Sequence, residues 1–148
     1  PAPRKVDVIE VTDCQPIPKI TLFGAQVNPT QYSHFIKLNF IYNEISTSAY
    51  TPDPYTITKN IQGIFRIQRD IQNEFLAVKQ LLEQGFSPTE LIPDKELNFI
   101  SSGDTVIDSA NRWAEFTQDA LPQLTEQGWI VETDENFKLN FSELLTNK

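Results

Sequence analysis

Cys14 and His34 are the only cysteine and the only histidine in this 148-residue chain. A thiol beside an imidazole is the one pairing here that could build a covalent nucleophile. That chemistry also needs a group to orient the imidazole and an oxyanion hole, and no motif supplies either. The alternative is structural: a free cysteine behaves as a small buried hydrophobe, and His34 lies at the end of an apolar strand face where satisfied imidazoles are common. One Cys and one His cannot complete a tetrahedral zinc site. Carboxylates gather at Asp104/Asp108 and at Glu132/Asp134/Glu135, the oxygen donors a hard cation such as Ca²⁺ or Mg²⁺ would need. Their spacing matches no calcium loop, and turn and cap chemistry accounts for them, with Asp108 capping a helix and Asp134 starting a hairpin. No catalytic, metal-ligating or cofactor-binding residue is therefore assigned, and no small-molecule ligand is evident.

Four basic residues, Lys37, Lys59, Arg66 and Arg69, fall on strand candidates near Phe35 and Tyr55. Cations among aromatics suit single-stranded nucleic acid, so a nucleic-acid-binding module using a weakly basic sheet face is one functional reading. The bland alternative is a solvated sheet face. The charge balance gives that module little support: residues 1–69 carry five acids and seven bases, whereas 70–148 carry 15 acids and five bases, for a net charge of −8. The acidic second half argues against a duplex-DNA face there. The five glycines are isolated, and nothing resembles a phosphate loop or a dinucleotide fingerprint. Trp113 and Trp129 flank a helix at positions that face a sheet, which favours core packing over ligand stacking.

The elements that must position these residues follow from composition and periodicity. A chain with 39% hydrophobic and 11% aromatic residues can bury a core, which excludes disorder throughout. No run approaches the ~20 apolar residues of a membrane span, and the lone cysteine points to a reducing, cytoplasmic setting without membrane contact. The sequence starts at Pro1 and has no Met, so a processed product or an excised piece of a longer protein is expected. The lack of a charged and apolar leader favours excision. A single domain over 1–148 is expected, with a subdomain seam at Arg69/Asp70.

Val6–Val11 reads as an edge strand in a proline-rich lead-in, and Lys19–Ala25 as a strand bounded by Pro18 and Gly24. Ser33–Asn43 alternates, with His34, Ile36, Leu38, Phe40 and Tyr42 on one face. Thr51-Pro-Asp-Pro54 is a turn, and Tyr55–Arg69 is one or two strands broken near Gly63. The first half is thus expected to be one antiparallel sheet.

At Asp70 the period changes to 3.6, predicting a helix capped by Asp70, closed by Gly85, and burying Ile71, Phe75, Val78 and Leu82. Ser87-Pro-Thr-Glu90 has capping-box form and predicts a short helical turn up to Pro93. Leu97–Ser101 is a short strand, and Ser102-Gly103-Asp104 a turn. A second helix starts near Asp108 or Ser109, buries Trp113, Phe116, Ala120 and Leu124, kinks near Ala120 because of Pro122, and ends at Gly128. Trp129–Thr133 and Phe137–Phe141 read as a hairpin. The expected fold is α+β: a mostly antiparallel sheet, two main helices packed on it and a C-terminal hairpin.

Trp113-x-x-Phe116, Leu121-Pro122-x-Leu124 and Gly128-Trp129-x-Val131-Glu132-x-Asp134-x-x-Phe137, in that order and spacing, resemble the segment that precedes the ATPase motor in bacterial SWI/SNF-type helicases. Arg69-Asp70-x-x-x-Glu74, Leu82-x-x-Gly85-Phe86, and Val6–Val11 followed by Pro16-Ile-Pro18 and Lys19–Phe23 resemble the same region. The resemblance implies a helicase-associated, non-catalytic accessory domain whose longer parent, with ATP and Mg²⁺ in its own motor, translocates on DNA. It implies the adjoining motor domains as partners and DNA only through the parent. None of the motor's phosphate-loop, Mg²⁺-binding or arginine-finger elements has a counterpart here, so no catalytic residue carries over.

Overall fold

The structure, a computed structural model, describes residues 7–49, 53–102 and 105–139. The longest element pair is an antiparallel hairpin of β2 (Ile17–Asn28) and β3 (Gln31–Tyr42). Each strand reads as an alternating run, and Ile20, Leu22, Ile36, Leu38, Phe40 and Tyr42 line one shared, fully buried face. Pro18 and Gly24, expected as boundaries, lie inside β2. Beyond β3 the chain reverses at Asn43 and Glu44, both with positive φ (48° and 70°), the two-residue turn whose twist matches its strands. It returns as β4 (Ile45–Ser48), paired with the end of β3.

The expected single sheet over the first half is instead two sheets. β1 (Val8–Val11), β5 (Tyr55–Asn60) and β6 (Gly63–Gln68) form a three-stranded sheet in the order β1-β6-β5, with β1 parallel to β6. The larger sheet runs β7-β8-β3-β2-β9, with β4 beside β3. Val11, Phe65 and Ile67 of the small sheet join the core cluster of the large one, so a single core spans both. Among the described residues, two strand pairs are parallel and the other five antiparallel, consistent with a mostly antiparallel α+β fold.

Helix α1 (Ile71–Glu83) starts where expected, with the Asp70 carboxylate accepting from the Asn73 amide at 3.1 Å. Its buried stripe differs in part from the expected one: Glu74, Ala77 and Leu81 face inward, Ile71 is half-buried and Val78 half-buried against the core, while Phe75 (61% exposed) and Leu82 face solvent. The rotation is roughly a quarter turn at about 100° per residue.

Ser87-Pro-Thr-Glu90 does not start a helix. Phe86–Thr89 is β7, antiparallel to β8 (Leu97–Ser101) at the edge of the sheet, a place where proline's missing N–H is tolerated. Of the predicted turn at 102–104, Gly103 and Asp104 lie outside the described residues. Helix α2 (Val106–Glu115) begins slightly earlier than expected, capped by Thr105, whose hydroxyl accepts from the Asp108 amide at 3.0 Å.

Trp113, Phe116, Ala120 and Leu124 are all buried, as their spacing predicts. Phe116–Ala120 is a π-helical turn in which the Leu121 amide donates to the Phe116 carbonyl, and α3 (Leu121–Glu126) restarts with Pro122 in its first turn. The extra residue in the π turn is how the helix accommodates a proline that would otherwise clash with the preceding turn. Gly128, at φ 97°, makes the left-handed exit that brings Trp129 back to the sheet.

β9 (Ile130–Thr133) is the expected first arm of the hairpin, but its partner is β2, to which it runs parallel. The second arm carries no strand as far as Leu139, and Asn140 and Phe141 lie outside the described residues. β2's open edge supplied a longer-range partner. The chain after β9 is pinned there by the Gly24 amide, which donates to Asn136 Oδ1 at 3.1 Å, and by the Tyr32 hydroxyl, which donates to the Asn136 carbonyl. Gly24 is required for this close approach, because a Cβ there would collide with both the Tyr32 hydroxyl and that carbonyl. Among the described residues, no helix is long and apolar enough to cross a membrane.

Candidate functional site

The four basic candidates do not gather on one face. Lys37, on β3, points to the side of the large sheet away from the helices, where its ammonium is 2.9 Å from Asp94 and 5.3 Å from the Phe23 ring centre. Lys59 and Arg66 share the outer face of the small sheet, since Lys59 pairs with Ile64 and Ile57 with Arg66. Arg66 stacks over Tyr55 at 4.1 Å and lies 3.5 Å from Glu10. Arg69 is 6% exposed. Only Lys59 and Arg66, with Tyr55 on the same face beside Arg66, keep the arrangement a nucleic-acid face would need.

Cys14 and His34 are also apart. Cys14 lies in the linker before β2, whereas His34 pairs with Gly24 seven residues further along that strand. The imidazole is ringed by Tyr32 (5.4 Å between ring centres), Phe137 (5.2 Å) and Trp113 (6.4 Å). This apolar enclosure removes water from the ring and lowers its pKa below 6.5.

Of the acidic groups, Asp108 is not the helix cap expected of it: Thr105 is, and the Asp108 amide donates to its hydroxyl; Glu132 meets Lys19 at 3.3 Å, and the Asp134 carbonyl accepts from the Phe137 amide at 3.0 Å. Among the described residues, no group of three metal-ligating side chains is placed to hold an ion.

The strongest polar constellation is one the residue-type search did not single out as a site. Arg69 leaves β6, Asp70 caps α1, and Glu74, one turn in, faces the core. The Arg69 Nε donates to Glu74 Oε2 at 2.9 Å and its Nη2 donates to Oε1, a bidentate pair with both side chains almost fully buried. The Tyr42 hydroxyl donates to the same carboxylate and accepts from the Asp70 amide at 2.8 Å. Arg69 also donates to Thr56 Oγ1 at 3.4 Å, and its own amide donates to the Pro54 carbonyl at 2.8 Å.

Burial pushes the Tyr42 hydroxyl well above its ordinary range, and the bond to Glu74 adds to this. For Arg69, burial works against the charge, but the Glu74 carboxylate outweighs it and the guanidinium is held more firmly protonated than usual. The three side chains satisfy one another. They form a polar rivet joining β3, β6 and α1. The sequence signal was the spacing Arg69-Asp70-x-x-x-Glu74, in which the cap fixes the helix start.

Above the rivet lies an open cleft of about 420 Å³ lined by Asp13, Cys14 and Gln15, from the linker between β1 and β2, and by Gln68, Arg69 and Asp70, where β6 passes into α1. A second, of about 260 Å³, continues from Gln15 along α1 past Leu76 to Trp129. On α1 itself, Phe75, Leu76 and Leu82 are large, apolar and exposed. Fold and site together define an α+β domain with a buried Arg69–Glu74–Tyr42 cluster and a main helix that presents apolar side chains outward. Comparison of this chain with protein-family models, curated proteins and solved structures finds no match.

Proposed function

We propose that this chain is a non-catalytic accessory domain of a SWI/SNF-type, DNA-dependent ATPase of the cytoplasm, contacting the adjoining motor domains and positioning or regulating them. ATP and Mg²⁺ belong to that parent's motor. The observation that carries the reading is the exposed apolar flank of α1, Phe75 and Leu82, in a helix that a single-domain protein would turn inward. A helix that leaves Phe75, Leu76 and Leu82 exposed suits a surface that another domain covers. The motif residues behind the resemblance support a scaffold role, because Arg69, Glu74, Phe86, Trp113, Phe116, Leu124 and Trp129 are all buried and engaged in packing or the rivet.

The test is the full-length parent. Its sequence should place an ATPase motor after Lys148, and Phe75→Ser with Leu82→Ser should alter its DNA-stimulated ATPase rate. In the isolated domain the same pair should shift stability by no more than about 1 kcal/mol, as exposed substitutions do. A parent without a motor, or a motor indifferent to the pair, would reject the proposal.

A further inference from the structure

The small sheet ends on a strand built to pair again. β5 (Tyr55-Thr-Ile-Thr-Lys-Asn60) has β6 on one side and no strand on the other among the described residues. It contains no proline and one charge, and three of its six residues are β-branched. Natural edge strands are usually blunted by charge, proline or a bulge, and this one has only Lys59, toward its C-terminal end. Ile57 stands 70% exposed at its centre.

Backbone direction follows from the turn. Asn60 pairs with Gly63 across the two residues Ile61 and Gln62, which makes that closing pair a hydrogen-bonded one. Such pairs alternate along an antiparallel ladder, so Thr58 and Thr56 also bond to β6. Tyr55, Ile57 and Lys59 therefore aim their N–H and C=O groups at the open edge.

We propose that β5 is the interface for a second copy of this chain, added antiparallel about a two-fold axis at Ile57. In that register Ile57 meets Ile57 of the second copy, and each Tyr55 meets Lys59 of the other. All three outward residues on each strand find partners, giving six main-chain hydrogen bonds. The matched parity keeps the outer faces continuous, so the two small sheets merge into one of six strands in the order β1-β6-β5-β5-β6-β1.

Side-chain chemistry selects this occupant. Ile57 covers an identical exposed isoleucine, and the only charge on the strand lands on a tyrosine instead of on its like. That tyrosine already accepts a cation on its face, Arg66 at 4.1 Å. The Thr56 and Thr58 side chains meet on the inner face, a favourable cross-strand pair. The interface is isologous and closes as a dimer. It is small, so the association is reversible, with a dissociation constant on the order of tens to hundreds of micromolar.

The experiment is sedimentation velocity of the chain over a concentration series spanning that range, at physiological salt to screen the net negative charge. The expected result is a concentration-dependent monomer–dimer equilibrium. Ile57→Lys, which sets two like charges opposite each other, should weaken it at least about tenfold. Ile57→Pro, which deletes an outward N–H that β6 does not use, should leave monomer only. Thermal melts followed by circular dichroism on Ile57→Lys check that the fold persists, as the residue's exposure predicts. A wild-type chain that stays monomeric throughout the series overturns the proposal, as does a dimer that folded Ile57→Lys does not weaken.

Discussion

A single carboxylate, Glu74, balances a buried guanidinium and anchors a buried phenol. Deleting it leaves Arg69 charged and dry, so Glu74→Ala should cost about 3–5 kcal/mol. Tyr42→Phe, which strips the Asp70 amide of its acceptor, should cost about 1–3 kcal/mol. Urea unfolding of each variant gives the numbers, and a loss under about 1 kcal/mol for Glu74→Ala would show the rivet to be ornamental. His34 adds a pH dependence. Its folded pKa lies below 6.5 through desolvation, so between those two values the unfolded chain binds more protons than the native one. Stability is therefore complete above pH 6.5 and falls as pH drops through that value toward the folded one. Asp94 does not obscure this window. Burial raises its pKa, but Lys37, the Glu96 amide and Asn98 outweigh burial and hold it below 3.8, so its contribution is lost only at lower pH. Urea midpoints at about pH 7.5 and pH 5.5 should differ for the wild type and much less for His34→Gln. Equal slopes would place the titration elsewhere. The sequence showed His34 on an apolar strand face, but not the Tyr32, Trp113 and Phe137 ring, because those contacts come from three separate elements. Arg69 reads as a surface cation in the sequence, because the Arg69-Asp70-x-x-x-Glu74 spacing fixes where the helix starts but not which of its faces turns inward.

Helix α1 separates what a pattern specifies from what packing decides. Asp70 and Gly85 bracket the helix and were legible, because caps act through adjacent backbone. The buried stripe was not. Ile71, Phe75, Val78 and Leu82 form the more apolar face, yet small Ala77 and the tethered Glu74 set the contact with the sheet. The α2–α3 segment was legible because its large residues, Trp113 and Phe116, leave no competing face, and Pro122 forces the break. β7 is not legible, because Ser87-Pro-Thr-Glu90 carries a helix-start signal locally, while its pairing with β8 is a tertiary fact that overrides propensity. Trp129 ties these elements together. Gly128 turns α3 back, the Trp129 amide donates to the Leu124 carbonyl at 3.0 Å, and the indole is 5% exposed between α1 and the sheet. Trp129→Ala should cost about 3–5 kcal/mol, a large part of the whole. Thermal melts decide this: a midpoint within a degree or two of the wild type would mean that the indole contributes little to the core.

At the scale of the molecule, the question is whether two sheets make one folding unit. Strands of four, six and six residues in the small sheet have one apolar face and little chance of standing alone. Their inward residues, Val11, Phe65 and Ile67, share the core of the large sheet, and the rivet adds a polar tie from β6 through α1 to β3. Unfolding the small sheet would strand Arg69 and uncover the core beneath it, so both sheets should unfold together. Trp113 and Trp129 report on the helices and the large sheet, whereas amide exchange at Phe65 and Ile67 reports on the small one. In the wild type these probes should give the same opening free energy, as a single cooperative transition requires. In Glu74→Ala the tie is cut while the apolar contact stays. The amides of β6 should then exchange ahead of those at Ile36 and Leu38, exposing a partly unfolded state with the large sheet intact. Uniform loss of protection across both sheets in the variant would instead assign the coupling to the shared apolar core, with the rivet adding stability but no connection. Early β6 exchange already in the wild type would make the small sheet (β1, β5, β6) a unit of its own, separate from the large one.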